Sequence, residues 1–115
     1  MSQDPIVIVG MARTPMGGLL GDLSSITSPE LGAVAIKSAL EQSGLDSDSI
    51  DETIMGCCLF AGLGQAPARQ AMLKAGIANT TGATTISKMC GSGMKAIMQG
   101  HDAIVAGSSN IVISG

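Results

Sequence analysis

The sequence predicts an α/β fold: a layered domain built on a mainly parallel sheet with helices packed against it. Three observations carry that prediction. Short, continuous runs of apolar and β-branched residues, such as Pro5–Met11 (PIVIVGM) and Asn110–Ser114 (NIVIS), have the character of strands covered on both faces. Between such runs lie segments whose apolar residues recur at intervals of three and four, the spacing of a helix. The two kinds alternate as strand, helix, strand, helix, strand, helix, strand, which is the order of a parallel sheet with helical crossovers. A chain of 115 residues has room for one modest domain, so residues 1–115 are expected to form a single α/β unit.

The first strand is expected over Pro5–Met11, followed by a loop from Ala12 to Gly18 that contains Arg13, Thr14, Pro15 and two glycines. Ser28, Pro29 and Glu30 read as a helix start, with a hydroxyl at the N-cap, proline at the first helical position and an acid in the first turn. This helix should bury a face made of Leu31, Val34, Ala35 and Ser38 and stop at a left-handed Gly44. Asp46–Asp51 reads as a solvated acidic loop. Thr53–Phe60 reads as a second strand interrupted at Gly56, which would set Cys57 and Cys58 on opposite faces, where packing is their expected role. Gly62, Gly64, Gln65 and Pro67 form a turn into a helix over Pro67–Ala75 that Gly76 closes, with Arg69 and Lys74 on its surface. A third strand over Ala83–Ser87, a third helix over Gly93–Ala106 and a fourth strand over Asn110–Ser114 complete the order.

Composition narrows the classes of function. The interior must be aliphatic and sulfur-softened, because the chain has eight Met, one Phe and neither Tyr nor Trp. Charged residues make up 13%, against about a quarter in a free-standing domain, so part of the surface is expected to meet a partner. A net charge of -3, without a Lys/Arg cluster or an aromatic platform, argues against nucleic acid. The apolar runs are too short to span a bilayer, and Met1–Gly10 lacks the features of a signal peptide, so no membrane role is expected, and a cytoplasmic location or one of the matrix type. Three cysteines without C-x-x-C spacing argue against a disulfide framework and a metal site. Gly10-Met11-Ala12, Gly62-Leu63-Gly64 and Gly93-Met94-Lys95 each fall short of a dinucleotide or phosphate fingerprint, so no bound cofactor is expected.

Cys90 is the one candidate reaction centre. It falls where the strand-prone Thr84-Thr85-Ile86 gives way to Gly91-Ser92-Gly93 and then to a helical pattern of Met94, Ile97, Met98, His101, Ile104 and Val105. A helix start presents unpaired N–H groups and partial positive charge, which favour thiolate over thiol and make such a cysteine a good nucleophile. Gly91 and Gly93 would supply backbone freedom and leave no side-chain wall, while Ser92 could cap the helix or touch a ligand. The competing reading of the same stretch is a small buried cysteine ahead of an ordinary amphipathic helix. His101, the only histidine, lies on the apolar stripe, where it is expected to be packed, and roughly 16 Å of helix separates it from Cys90.

Several motifs taken together resemble the thiolase family, in its acetyl-CoA C-acetyltransferase branch. They are Arg13-Thr14-Pro15 after the opening strand, the run from Gly64 to Ala71 (GQAPARQA), Lys74-Ala75-Gly76-Ile77, and above all Lys88 to Ala96 (KMCGSGMKA). The resemblance implies the N-terminal half of a thiolase-like α/β fold, apparently truncated. It also implies that Cys90 is the nucleophile that accepts an acyl group from an acyl-CoA, with coenzyme A thioesters as substrates. The reaction implied is condensation of two acetyl-CoA to acetoacetyl-CoA or its reverse, with homo-oligomers usual in the family. A histidine and a further cysteine come from the family's second half; no cysteine follows Cys90 here and His101 is not in the histidine motif, so this chain alone is expected to be inactive. Ser87 stands where family members commonly have asparagine. Two other readings accompany this one: a non-catalytic, half-sized relative that serves as an interaction module, and a ketoacyl synthase relative, which fits the Gln65–Gln70 segment less well.

Overall fold

The computed structural model describes residues 4–115. Strands β1 (Glu52–Gly56), β2 (Gly82–Ile86) and β3 (Val112–Ser114) form one parallel sheet in the order β2-β1-β3. Helices α1 (Ser28–Ser43), α2 (Pro67–Lys74) and α3 (Ser92–Val105) surround it, with a 3₁₀ turn at Ser47–Ser49. This is the layered, parallel α/β architecture that the alternation predicts. The β1–α2–β2 connection and the β2–α3–β3 connection, which joins the two edge strands, run in opposite directions across the sheet, and crossovers of one hand then put α2 and α3 on opposite faces. Contacts agree with that: Thr85 on one face accepts the Ala68 N–H of α2 at 3.0 Å, while on the other face Gly56 and Ser114 meet α3.

The core lies on the α1–α2 face. Ala33, Ile36, Ile50, Ala71, Met72, Ala75 and Ile77 form it, and Met55, Ala83 and Ile113 of the three strands pack against it. Residues on α1 and α2 are small where the helices meet, and a Cβ on Gly32 would come within 3.1 Å of the Ala71 Cβ. For this reason α1 buries Pro29, Ala33 and Ile36 and leaves Val34 exposed, a stripe rotated from the predicted one. The cap also moves by one residue. Thr27, not Ser28, is the N-cap, and its side chain and that of Glu30 satisfy each other's backbone N–H groups in a capping box. Thr27→Ala should lower stability by about 1 kcal/mol in denaturant unfolding. Gly44 ends the helix in the left-handed region at φ 70°, as predicted.

Asp51 is more than a solvated charge. Its carboxylate accepts the N–H groups of Asn110 (2.7 Å) and Ile111 (3.0 Å), which ties the chain entering β3 to the start of β1. Those two backbone bonds hold its pKa below the ordinary value. A depressed carboxylate contributes stability that is present above its unfolded pKa and is lost as pH falls through the folded one. Acid titration of stability should therefore be shallower in Asp51→Asn than in the parent as pH falls below about 4.

Three predicted strands differ. Pro5–Met11 pairs with no strand; it lies against α1, where the Met11 N–H donates to Gln42 Oε1 at 3.3 Å and Gly10 is pressed against the Ala39 carbonyl oxygen. A β-branched run encodes an extended backbone, but a strand also needs a neighbouring edge, and none lies beside this run among the described residues. Ile6–Val9 stay exposed as a result. The second strand ends at Gly56, so Cys57 and Cys58 lie beyond it, half-buried, and not on two faces of a strand. The last strand begins at Val112, two residues later than expected.

The third helix reverses the expected burial. Ser92, Ala96 and Gly100, four residues apart, face the sheet, and a Cβ on Gly100 would run into the Ser114 hydroxyl. The larger apolar residues point away: Met94, Ile97 and Met98 are 73%, 53% and 51% exposed. His101 is exposed too, with Nδ1 3.4 Å from an Asp102 carboxylate oxygen, so it is not a packed histidine. Small residues win the inner face because they let the helix axis approach the strands closely.

Candidate active site

Cys90 sits in a turn that the sequence builds from three directions. The hydroxyl of Ser92, buried beneath the turn, accepts the Lys88 N–H at 2.8 Å and donates to the Met89 carbonyl at 2.6 Å. The N–H groups of Gly91 and Ser92 close on the carbonyls of Lys88 (3.0 Å) and Met89 (3.2 Å). Met89 is held at φ 48°, the left-handed region that a non-glycine residue enters only when its surroundings enforce it, at a cost of roughly 1–3 kcal/mol. Backbone strain therefore lies at Met89, and not at Gly91 or Gly93, where the sequence suggested freedom would be used. Ser92 is part of the scaffold and does not act as an N-cap; that position belongs to Gly91. The Cys90 residue itself is exposed, so the buried-cysteine alternative does not describe it.

Gly56 sets the depth at which this turn rests on the sheet. A Cβ there would lie 2.6 Å from the Ser92 carbonyl carbon and Cβ and 2.7 Å from the Gly93 nitrogen, so only glycine admits the first turn of α3 at the end of β1. Sequence reasoning took Gly56 for a strand interruption; the close approach it serves has no local signature.

Cys90 borders a cavity of about 400 Å³ beyond the carboxyl ends of the parallel strands, where open α/β sheets place their ligands. First-turn residues of all three helices line it: Ser28 and Pro29 of α1, Pro67 and Ala68 of α2, Ser92 and Gly93 of α3. Their partial positive ends are thus collected at one opening, a setting that favours negative charge on a bound group. Cys57 and Cys58 border the same cavity.

The run from Gly64 to Ala71 shapes another wall. Gln70 donates through Nε2 to the carbonyls of Leu63 (2.6 Å) and Gln65 (2.7 Å), which fixes the loop ahead of α2 with Ala66 at φ 46°. Arg69 turns inward, donating to the carbonyls of Asn79 (3.2 Å) and Thr81 (3.4 Å), and so braces α2 against the approach to β2. Among the described residues no group of His, Cys, Asp or Glu is placed to hold a metal ion, and no helix is long and apolar enough to cross a membrane.

Comparison with known proteins agrees with this arrangement. The chain is 52% identical over 110 residues to an acetyl-CoA acetyltransferase of Cupriavidus necator, covering 96% of this chain and 28% of that protein. It is 50% identical over 111 residues to the cytosolic acetyl-CoA acetyltransferase ERG10 of Gibberella zeae, with the same coverage, and a relative from Xenopus tropicalis carries the name of a mitochondrial form. The fold superimposes on the crystal structure of Acat5 thiolase from Ascaris suum in complex with coenzyme A, with a TM-score of 0.85 and 42% identity, over 87% of this chain and 26% of that one. The chain thus spans a little over a quarter of the length of the proteins it matches. The family described as "Thiolase, N-terminal domain" matches residues 6–115, and the chain belongs to the thiolase family.

Proposed function

We propose that this chain is the nucleophile-bearing part of a thiolase-type acyl-CoA acyltransferase, with Cys90 as the acyl acceptor. The observation that carries the reading is the position of Cys90: exposed, on a strained turn, beside a cavity that the first turns of three helices line. The Cys90 thiolate attacks the carbonyl carbon of an acyl-CoA thioester, and the tetrahedral intermediate collapses with departure of CoA thiolate, leaving an acyl-cysteine. An enolate formed from a second acetyl-CoA then attacks the acyl carbon, which releases the Cys90 sulfur and acetoacetyl-CoA. The reverse sequence cleaves a 3-ketoacyl-CoA. Thiol and thioester exchange on nearly equal terms, so a cysteine suits both directions.

Charge on the oxyanion would be met by the helix end. Because the N–H groups of Gly91, Ser92 and Lys95 are engaged, the contribution falls to the remaining N–H groups at the helix start and the dipole behind them. The base that takes the Cys90 proton and the acid that handles the acetyl proton would come from a second half of the protein, and most of the CoA-binding surface with them. The exposed apolar side of α3, with Met94, Ile97 and Met98, supports a body docked there, whether that second half or another copy in a homo-oligomer. A cytoplasmic setting goes with this reading, in line with the name of the Gibberella zeae relative.

The same exposed α3 face favours the second reading, a half-sized interaction module without catalysis. Release of free CoA from acetyl-CoA separates the two. With a separately produced second half present, thiol release should rise well above the rate of either part alone. Equal rates in all three mixtures would favour the interaction module.

A further inference from the structure

Among the described residues three that are not glycine hold a positive φ: Leu20, Ala66 and Met89. Of these only Met89 borders the cavity on which Cys90 opens. The turn uses the Met89 backbone, whose carbonyl accepts both the N–H and the hydroxyl of Ser92, and glycine would supply the same backbone at lower conformational cost. Core packing does not offset that cost, because Met89 is 66% exposed. The chemistry of the cavity offers a role for the side chain instead. None of the described residues on its border is charged, and the longest side chains there, those of Met55, Leu59 and Met89, are all apolar. A methionine chain is flexible and polarizable, and it packs against aliphatic groups of varied shape. Met89 and Cys90 are also neighbours in the chain, with Cα atoms about 3.8 Å apart, so a group attached to the Cys90 sulfur starts within reach of that side chain.

We propose that Met89 is a specificity-determining residue, whose side chain gives an apolar platform to the aliphatic part of a group carried on the Cys90 sulfur. An uncharged, aliphatic acyl group then gains a contact that a polar one of equal length does not. The left-handed backbone at Met89 is the conformational cost of placing a long side chain, and not a glycine, immediately before Cys90. Selection among acyl groups rests on the acyl-acceptor role proposed above, whereas the contact between Met89 and a chain attached to Cys90 does not.

The test is alkylation of Cys90 by two iodoacetamides of equal length, one with an N-hexyl chain and one whose chain carries two ether oxygens. Rates are read from the mass of the peptide that holds Cys90 and are divided by those of the same reagents with glutathione. A methylene fully removed from water favours binding roughly fourfold, so one-sided contact should give the hexyl reagent an advantage of about three- to tenfold. Met89→Gly, which suits the positive φ, and Met89→Ala should both bring that ratio down to the glutathione value, and Met89→Leu should keep it. A parent chain with no hexyl advantage would overturn the proposal, as would an advantage that survives in both the Gly and Ala variants. The parent ratio is decisive even where a variant fails to fold. A hexyl advantage lost with Met89, together with no acetyl group on Cys90 after acetyl-CoA, would support the contact and count against the acyl-acceptor reading; acetylation at Cys90 without the advantage would do the reverse.

Discussion

Gly56→Ala is expected to unseat α3 from the sheet and lower stability by about 1–3 kcal/mol, the range for forcing extra volume into a packed site. The added methyl would stand 2.6 Å from Ser92 and 2.7 Å from the Gly93 nitrogen, and two of those three contacts are backbone, so no side-chain rotation relieves them. Since Ser92 holds the turn through Lys88 and Met89, displacement of the helix start also displaces Cys90. Chemical unfolding should show a lower midpoint, and CoA release with the second half present should fall by more than the loss of folded protein explains. Gly82→Ala is the control: nothing lies within 4 Å of a Cβ there, so it should leave the position of Cys90 unchanged.

Cys90→Ala should have the largest effect on reaction. Removal of an attacking nucleophile costs roughly 10⁴-fold or more in turnover, because the two-step route through a covalent intermediate is lost. Its stability should change little, since Cys90 is exposed and its side chain fills no core space. Unchanged unfolding together with abolished CoA release would separate a chemical role from a structural one. Loss of both together would mean that Cys90 acts through the fold.

The elements that sequence reasoning placed well are those whose signals are local. Gly44 stops α1, Pro67 opens α2 and Gly76 follows it at φ 88°, because a left-handed residue or a missing N–H decides the backbone at that position alone. The strand-to-helix junction that holds Cys90 was legible for the same reason: a strand-prone run, a Gly-Ser-Gly step and a helical period follow each other directly. What escaped depends on distant partners. Pro5–Met11 has strand composition, yet pairing is a property of two segments. The stripe of Met94, Ile97 and Met98 has core spacing, yet which side of α3 meets β1 and β3 is decided by how closely Ala96 and Gly100 let the backbones approach. Gly56, Ser92 and the left-handed Met89 belong to the same class. Each is defined by the helix start lying against the strand end, and the sequence offers no local mark of that contact.

Among the apolar side chains left open on this chain are those on the outer side of α3 and along Ile6–Val9. Both match the low share of charged residues, 13%, and open apolar patches of this kind are where partner surfaces bind.

The acyl-cysteine itself offers the most direct test. After brief incubation with acetyl-CoA in the presence of the second half, acid quenching and peptide mapping should find one acetyl group, on the Lys88–Lys95 segment at Cys90, and none on Cys57 or Cys58. Acetylation confined to Cys57 or Cys58, or CoA release with no acetyl group on Cys90, would contradict the assignment of Cys90 as the acyl acceptor.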